Sequence, residues 1–359
     1  MTDLIVAGAG MAGLVAAARA RELGASVVVY EKGGRIGGSM RLSSGVIWRY
    51  SSFDEFRSQC PDGDSDLQRV VHEQLDQGLD WLASLGAVVA DPSTGNPLTV
   101  GRRFDTASLC EVLARGLDVR LSAPLAAGSA LAAPCILATG GFQADSWLVR
   151  EWITAQPLLL RSNPGSTGDG LRIGLDAGGV YSSGMDQFYG RAMPAVASLD
   201  PAEWVQSAQL YARHAVAIEN AAGRRYPGEV DWAELHVVQW IARQPGARAW
   251  FVVPPDALEL PTRYGTVGEQ ISRARAIGAA VEQRDQGVAV EVVAAITQTL
   301  GGLRVDRDGR VLRGDGSAVA GLWAAGGDVG GVATGGYMSN LAAALVIGKR
   351  AAESALAAA

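Results

Sequence analysis

Residues 4–31 read LIVAGAGMAGLVAAARARELGASVVVYE. Leu4–Ala7 is an apolar run of strand length. Gly8, Gly10 and Gly13 follow at G-x-G-x-x-G spacing, and Leu14–Leu23 is made of good helix formers. Gly24 ends that helix, the β-branched run before Tyr30 supplies a second strand, and Glu31 closes it. Strand, glycine turn, helix, strand and acid in this order form a dinucleotide-binding fingerprint. Gly8 permits the tight turn, Gly10 lets the backbone approach a pyrophosphate, and Gly13 lets helix and strand pack closely. The helix start, Met11 and Ala12, offers amide N–H groups to phosphate. Glu31 is placed to accept hydrogen bonds from a ribose diol. The bare alternative is a βαβ unit without a ligand.

The following residues choose the dinucleotide. Lys32–Ser39 reads KGGRIGGS, a second glycine-rich turn that an NAD site does not need. It is similar to the E-K-x(n)-G-G-S stretch of FAD-dependent oxidoreductases. That resemblance implies that Lys32, Gly38 and Ser39 lie beside the second half of the pyrophosphate. GLWAAGGD (321–328) resembles the stretch that binds the flavin ribitol in those proteins, implicating Gly326, Gly327 and Asp328. Gly327 stands where they carry Glu, so Asp328 is expected to reach the ribitol hydroxyls instead. ILATGGF (136–142) is a buried strand ending in a glycine turn at Ala138, Thr139 and Gly140.

GDGLRIGLDAGG (168–179), TLGGLRVDRDGRVL (299–312) and GYMSNLAAALVIGKRAA (336–352) look like the fumarate reductase/succinate dehydrogenase flavoprotein family. They add Asp169, Gly302, Ser339, Asn340 and Leu341 to the implied cofactor contacts. SSGVIW (43–48), with Ser44 and Gly45, looks closest to its 3-ketosteroid dehydrogenase branch. The resemblance implies an α/β fold: a Rossmann-like FAD-binding domain of glutathione-reductase type with an inserted α+β cap domain. The flavin domain is expected over 1–179 and 289–359 and the cap over 180–288. FAD is expected to be non-covalent, because no His matches the attachment site of some relatives. The last helix, starting near Ser339-Asn340, would point its amino end at flavin N1 and O2 and stabilise the reduced ring.

Composition sets the outer limits. A chain of 359 residues can build two domains and a large core. About half of it is apolar and its net charge is −6, which excludes the basic stripe a nucleic-acid binder needs. No run reaches membrane-spanning length and no leader precedes the first strand, so a cytoplasmic protein is expected. Cys60, Cys110 and Cys135 are far apart without metal spacing and read as core positions. No metal site is expected.

The insertion carries most of the unusual aromatic residues. Helices are expected over Pro201–Ile218 and Ser272–Glu282, with AVEVVAAITQTLGG (289–302) returning to the flavin domain. A small β-meander that relatives carry between Arg102 and Ile136 is reduced here to DVRLSAPLAAGSALAAP (118–134).

The chemistry departs from the fumarate-reducing branch. Those relatives clamp a dicarboxylate with two His and an Arg, and protonate it from another Arg. Here Tyr189 follows Gln-Phe in place of the first His, and Thr297 and Gln298 occupy the window of the second. No Arg lies between Gly326 and Gly348, and Val230–Leu235 contains none. A buried dicarboxylate needs paired cations, so fumarate is a poor fit. Tyr337 lies in the tail that crosses the flavin face in relatives, where Gly335 and Gly336 would let the backbone approach the ring. A phenol can hydrogen-bond a carbonyl without burying charge. Tyr337, Tyr189 and Arg191 are therefore the candidate catalytic residues. Packing tyrosines and a solvated Arg191 are the plain alternatives. Arg225 and Glu229 read as a structural ion pair, and His72, His214 and His236 as surface or core residues.

The expected activity is hydride transfer between FAD N5 and a carbon α or β to the carbonyl of a small or cyclic compound, by desaturation or enoyl reduction. Its partners would be that small-molecule carbonyl substrate and an electron donor or acceptor of unspecified type. A flavin oxidase, a redox-neutral flavin isomerase and a non-catalytic FAD-binding protein are the alternatives.

Overall fold

A computed structural model describes residues 2–125 and 133–358. The chain divides into two compact units: Met1–Asp145, Asn163–Gln187 and Thr299–Ala359 form one, Ser146–Ser162 and Phe188–Gln298 the other. The second unit therefore starts at Phe188 rather than 180, runs on to Gln298 rather than 288, and also takes in Ser146–Ser162.

In the first unit, strand β1 (Leu4–Ala7), helix α1 (Met11–Glu22) and strand β2 (Val27–Tyr30) form as the sequence predicts. Gly24 adopts φ +91° after the helix, the left-handed turn that glycine favours. β1 lies between β2 and Cys135–Leu137 in a six-stranded sheet. The strand order is Arg310–Leu312, Ala318–Ala324, Cys135–Leu137, β1, β2, Asp118–Arg120. All neighbours run parallel except the antiparallel edge pair Arg310–Leu312 and Ala318–Ala324. Parallel strands put their carboxyl ends at one edge, where ligands of open α/β sheets bind. Asp118–Arg120, from the stretch read as a trimmed meander, is an edge strand of this sheet; residues 126–132 lie outside the described residues. Val46–Tyr50, Thr99–Phe104 and Val89–Asp91 form a separate three-stranded antiparallel sheet.

The second unit is built on Gly287–Thr299, a 13-residue strand. It pairs antiparallel with Arg248–Val253 and Val281–Arg284, and also with Leu159–Leu160 and Phe188–Pro194. Helices Leu235–Ala242 and Val267–Ala276 bury Val237, Ile241, Val267 and Ile271 against Phe251, Val290 and Val292 of the sheet. Two helix expectations are corrected here. Pro201–Ile218 is broken into the 3₁₀ turn Pro201–Glu203, the single turn Trp204–Ser207, a second 3₁₀ turn Ala212–His214 and the start of strand Ala217–Glu219. In the second stretch the helix begins earlier, at Val267, under a capping box of Thr266 and Glu269, and ends at Ala276. Gly278, at φ +99°, then turns the chain into strand Val281–Arg284.

No helix among the described residues is long and apolar enough to cross a membrane. All three cysteines are buried and free.

The packing of α1 on β1 depends on Gly13. A Cβ added there would lie 1.8 Å from the Gly8 carbonyl oxygen, backbone that has no route to retreat. A Cβ at Gly10 would meet nothing within 4 Å. Gly13→Ala is expected to cost about 1–3 kcal/mol through overpacking, read as a lowered melting temperature, while Gly10→Ala leaves the fold unperturbed. Equal melting temperatures for the two variants would show that this contact does not set the helix position.

Candidate functional site

The glycine turn after β1 leaves the start of its helix without a side-chain cap. Gly10 is the N-cap of α1 at φ −79°, ψ −171°, and makes no side-chain cap. The first turn of α1 contains no acidic residue. Three other helices of the same unit are capped from within: Ser52 accepts from Glu55 N–H, Asp64 from Asp66 and Leu67 N–H, and Asp105 from Ser108 N–H. The contrast is physical. A helix start without a cap keeps its amide N–H groups and its positive dipole end available to an anion. The space off Gly10 is open and would be filled by any larger side chain.

The second glycine turn packs directly on the first. Gly37 N–H donates to Ala9 O at 2.7 Å, and a Cβ at Gly38 would lie 3.3 Å from Gly10 Cα. Ser39 is exposed on the 3₁₀ turn Gly38–Leu42. Glu31 holds the two turns together: one carboxylate oxygen accepts Ala9 N–H at 2.8 Å and the other Gly33 N–H at 2.7 Å. Each oxygen keeps a second acceptor position, so the acid can also meet a ribose. Lys32 Nζ pairs with Asp169 at 2.6 Å and donates to Thr167 Oγ1 at 2.7 Å. Lys32 and Asp169, singled out separately from the sequence, are thus partners. Thr167 was missed, although it precedes Asp169 by two residues, a spacing at which a Thr hydroxyl meets its neighbours; its hydroxyl donates to Asp169 at 2.9 Å.

A third group gathers beyond strands Cys135–Leu137 and Ala318–Ala324. The Asp328 carboxylate accepts the backbone N–H of Thr139 and, at 3.1 Å, its hydroxyl. Gly326 and Gly327 are held by close approach: added Cβ atoms would lie 2.8 Å from Ala12 Cβ and 2.5 Å from Gly141 N. A Cβ at Gly302 would lie 2.6 Å from Asp328 O. Gly140 takes φ +84°. Ser44 is exposed, whereas Gly45, at φ +73°, is pressed on Phe104, whose carbonyl oxygen a Cβ would approach to 2.1 Å.

The last helix, Asn340–Ala357, also starts without a side-chain cap. Ser339 occupies the N-cap position, yet its hydroxyl donates to Val46 O at 3.3 Å. The amides of Asn340 and Leu341 gain no cap from it. Two uncapped helix starts, an open space off Gly10 and a ribose-ready acid fit FAD. Gly8 to Gly13 with Glu31 would hold the adenosine and pyrophosphate portion, and the amino end of the last helix would face the electron-rich edge of the ring.

Tyr337 sits in an aromatic group. Its ring centroid is 5.4 Å from that of Trp48, and its carbonyl accepts the Tyr50 hydroxyl. Gly335 and Gly336 make a close contact that their spacing did not announce. A Cβ at Gly336 would lie 1.8 Å from Gln59 O, and one at Gly335 2.9 Å from Asp62 Oδ2. The two glycines let the tail lie against the loop after helix Phe53–Gln59.

The other candidates belong to the second unit. Tyr189 and Arg191 are half-buried residues at alternate positions of strand Phe188–Pro194, on one face as their spacing predicts. Arg191 lies over the Tyr211 ring at 4.7 Å, and Arg213 over the same ring at 3.9 Å. Glu234, 1% exposed and at φ +59°, lies near both guanidinium groups. Burial pushes its carboxyl pKa up, and Arg191 is the first charge that opposes this. In the sequence Tyr211 stood out only as one of the insertion's aromatic residues, and Glu234 carried no signal. Arg225 pairs with Glu219 at 3.8 Å, not with Glu229 as expected, because Arg225 bridges to Glu219 across the turn between them. Among the described residues no cluster of His, Cys, Asp and Glu could hold a metal.

Asp328 is wholly buried, and burial, reinforced by the charge of Asp169, pushes its pKa up to about 7 against the opposing Thr139 hydrogen bonds. A folded-state pKa above the unfolded value favours the fold only while the folded group holds its proton. Its contribution is therefore full below about pH 4 and is lost as pH rises to about 7. Melting temperatures of wild type and Asp328→Asn are expected to diverge over this range, wild type losing ground as pH rises. A pH-independent difference would contradict the assignment.

The sequence profile of the FAD binding domain family matches residues 3–136 and 114–340, most of the chain. A curated relative, fumarate reductase (cytochrome) of Shewanella frigidimarina, is 23% identical over 419 aligned positions, covering 92% of this chain and 72% of the relative. The solved 3-ketosteroid Δ1-dehydrogenase of Sterolibacterium denitrificans superposes with TM-score 0.72 at 16% identity, covering 99% of both chains. The 3-ketosteroid-Δ4-(5α)-dehydrogenase of Rhodococcus jostii gives 0.70 at 17% identity, covering 99% of this chain and 96% of that one. These structural likenesses bear out the α/β flavin-domain fold, and the profile bears out the cofactor. The protein is thus a member of the FAD binding domain family, with FAD as its cofactor.

Proposed function

We propose that the protein is an FAD-dependent oxidoreductase that moves hydride to or from a carbon next to a carbonyl, acting on the CH–CH group of a small or cyclic monocarbonyl compound. One observation carries the choice of substrate class. The tail that precedes and begins the last helix has no basic residue between Gly326 and Gly348, and it presents Tyr337 instead. A dicarboxylate would have to lose its hydration without a matching cation there. A ketone needs a hydrogen-bond donor. The fumarate reductase relative and the two ketosteroid dehydrogenase structures both fit an activity on CH–CH bonds, and the tail favours the second kind of substrate.

Bound FAD supplies the two-electron hydride donor or acceptor. The chain's own residues supply orientation and polarisation. The phenol of Tyr337 donates to the substrate carbonyl, so that charge developing on that oxygen in the transition state is stabilised. Trp48 and Tyr50 hold the Tyr337 ring and carbonyl in place, which limits the reorganisation that this hydrogen bond requires. In the second unit, Tyr189 and Arg191 are the groups we assign to substrate contact. Arg191 suits one carboxylate or a second carbonyl, and Glu234 with Tyr211 steadies it. Buried thiols take no part: burial pushes Cys60 and Cys135 up to about 12, so they carry no thiolate at neutral pH.

Steady-state turnover with a dye acceptor or donor tests this reading on a panel of cyclic monoketones, 4-androstene-3,17-dione among them, beside fumarate and succinate. Turnover is expected on a member of the ketone panel, with the dicarboxylates inert. Fumarate turnover matching the best ketone would overturn the reading. Tyr337→Phe is expected to lower kcat on the order of 100-fold, with FAD content and melting temperature kept. Loss of FAD along with activity would place Tyr337 in cofactor support instead.

A further inference from the structure

The carboxylate of Asp328 closes the 3₁₀ turn Gly326–Asp328 and is 1% exposed. Its oxygens are engaged by the Thr139–Gly140 turn: the backbone N–H and hydroxyl of Thr139, together with the backbone N–H of Gly140. That hydroxyl in turn accepts the N–H of Gly170 at 2.8 Å, in the first turn of helix Asp169–Asp176. A Cβ at Gly170 would lie 2.6–2.7 Å from the carboxylate carbon and both oxygens. The acid is therefore walled by the Thr139 turn on one side and by the start of this helix on the other. Position 327 could not hold it, because a Cβ there would strike Gly141 N at 2.5 Å.

We propose that Asp328 is a positioning residue of the FAD site: it fixes Thr139, and through Thr139 the start of helix Asp169–Asp176, and it does not touch the cofactor itself. The inference rests on FAD being the cofactor, and it departs from the ribitol contact that the sequence resemblance implies. Three segments from different parts of the chain meet at this acid near the carboxyl edge of the sheet. Without an acceptor the Thr139 amide would be buried unsatisfied, and a turn with a freed amide is free to shift. The charged groups around Asp328 are Asp169, which raises its pKa, and beyond Asp169 its partners Lys32 at 2.6 Å and Arg172 at 3.8 Å.

A double-mutant cycle on the FAD dissociation constant, read by quenching of flavin fluorescence on titration into FAD-stripped full-length protein, tests this. Asp328→Asn and Thr139→Val are each expected to weaken FAD about tenfold, the loss of one buried hydrogen bond in the turn. The double variant is expected to be no weaker than the worse single one, because both changes break the link between the Thr139 hydroxyl and the Asp328 carboxylate. Thr139→Ser, which keeps the hydroxyl, is expected to retain wild-type affinity. Additive losses would show that Asp328 acts on FAD without Thr139 and would overturn the proposal, as would unchanged affinity in Asp328→Asn. If circular dichroism shows Asp328→Asn unfolded, Thr139→Val decides: an unchanged dissociation constant overturns the proposal. Wild-type protein that fails to take up FAD would overturn the cofactor assignment itself.

Discussion

The first turn of α1 can exist where it does only because glycine surrounds it. Gly13 lies so near Gly8 that a single added carbon would overlap the carbonyl oxygen. From the other sides, a Cβ at Gly326 would reach 2.8 Å from Ala12 Cβ, and one at Gly348 2.8 Å from Ala12 O. The first strand, the return segment after Ala318–Ala324 and the last helix thus all close on the same helical turn. Chain ends more than 300 residues apart are held in one sheet-and-helix unit by these approaches. The cost is a helix start without a side-chain cap, which an anion such as a dinucleotide phosphate would offset.

Charge reinforces this geometry at the carboxyl edge of the sheet. Glu31 joins the two glycine turns through Ala9 and Gly33, Lys32 ties the end of β2 to Asp169, and Asp328 ties Thr139 to the start of the same helix. Glu31 and Asp328 act on backbone amides, while Asp169 meets the side chains of Lys32 and Thr167. Such hydrogen bonds to a charged acceptor are stronger than neutral ones, and leaving the buried amides unmet would be costly. The carboxyl edge of the sheet is therefore organised by the protein's own polar network.

What the sequence made legible follows from how local each signal is. β1, α1, β2 and the start of the last helix have period, caps or glycine turns within a few residues, and they form where expected. Tyr189 and Arg191 share a face because alternation on a strand is a local rule. The failures are non-local. Pro201–Ile218 has helical composition, yet Trp204, Ala208, Leu210 and Ala212 are taken into the core of the second unit by short turns instead. The missing side chains of Gly335 and Gly336 make room for Gln59–Asp62, a contact that no spacing announces. Asp328 was found as an acid, and its true neighbours, Thr139 and Gly170, come from segments 189 and 158 residues away in sequence.

The substrate reading stands on a difference in charge. The tail carries a phenol and no basic residue between Gly326 and Gly348, and the chain belongs to the FAD binding domain family. Identifying the bound nucleotide tests most directly whether these residues hold FAD. Protein purified, or reconstituted with excess FAD and desalted, should be yellow and should release FAD on denaturation at about one per chain. Release of NAD alone, or of no nucleotide after reconstitution, would contradict the account.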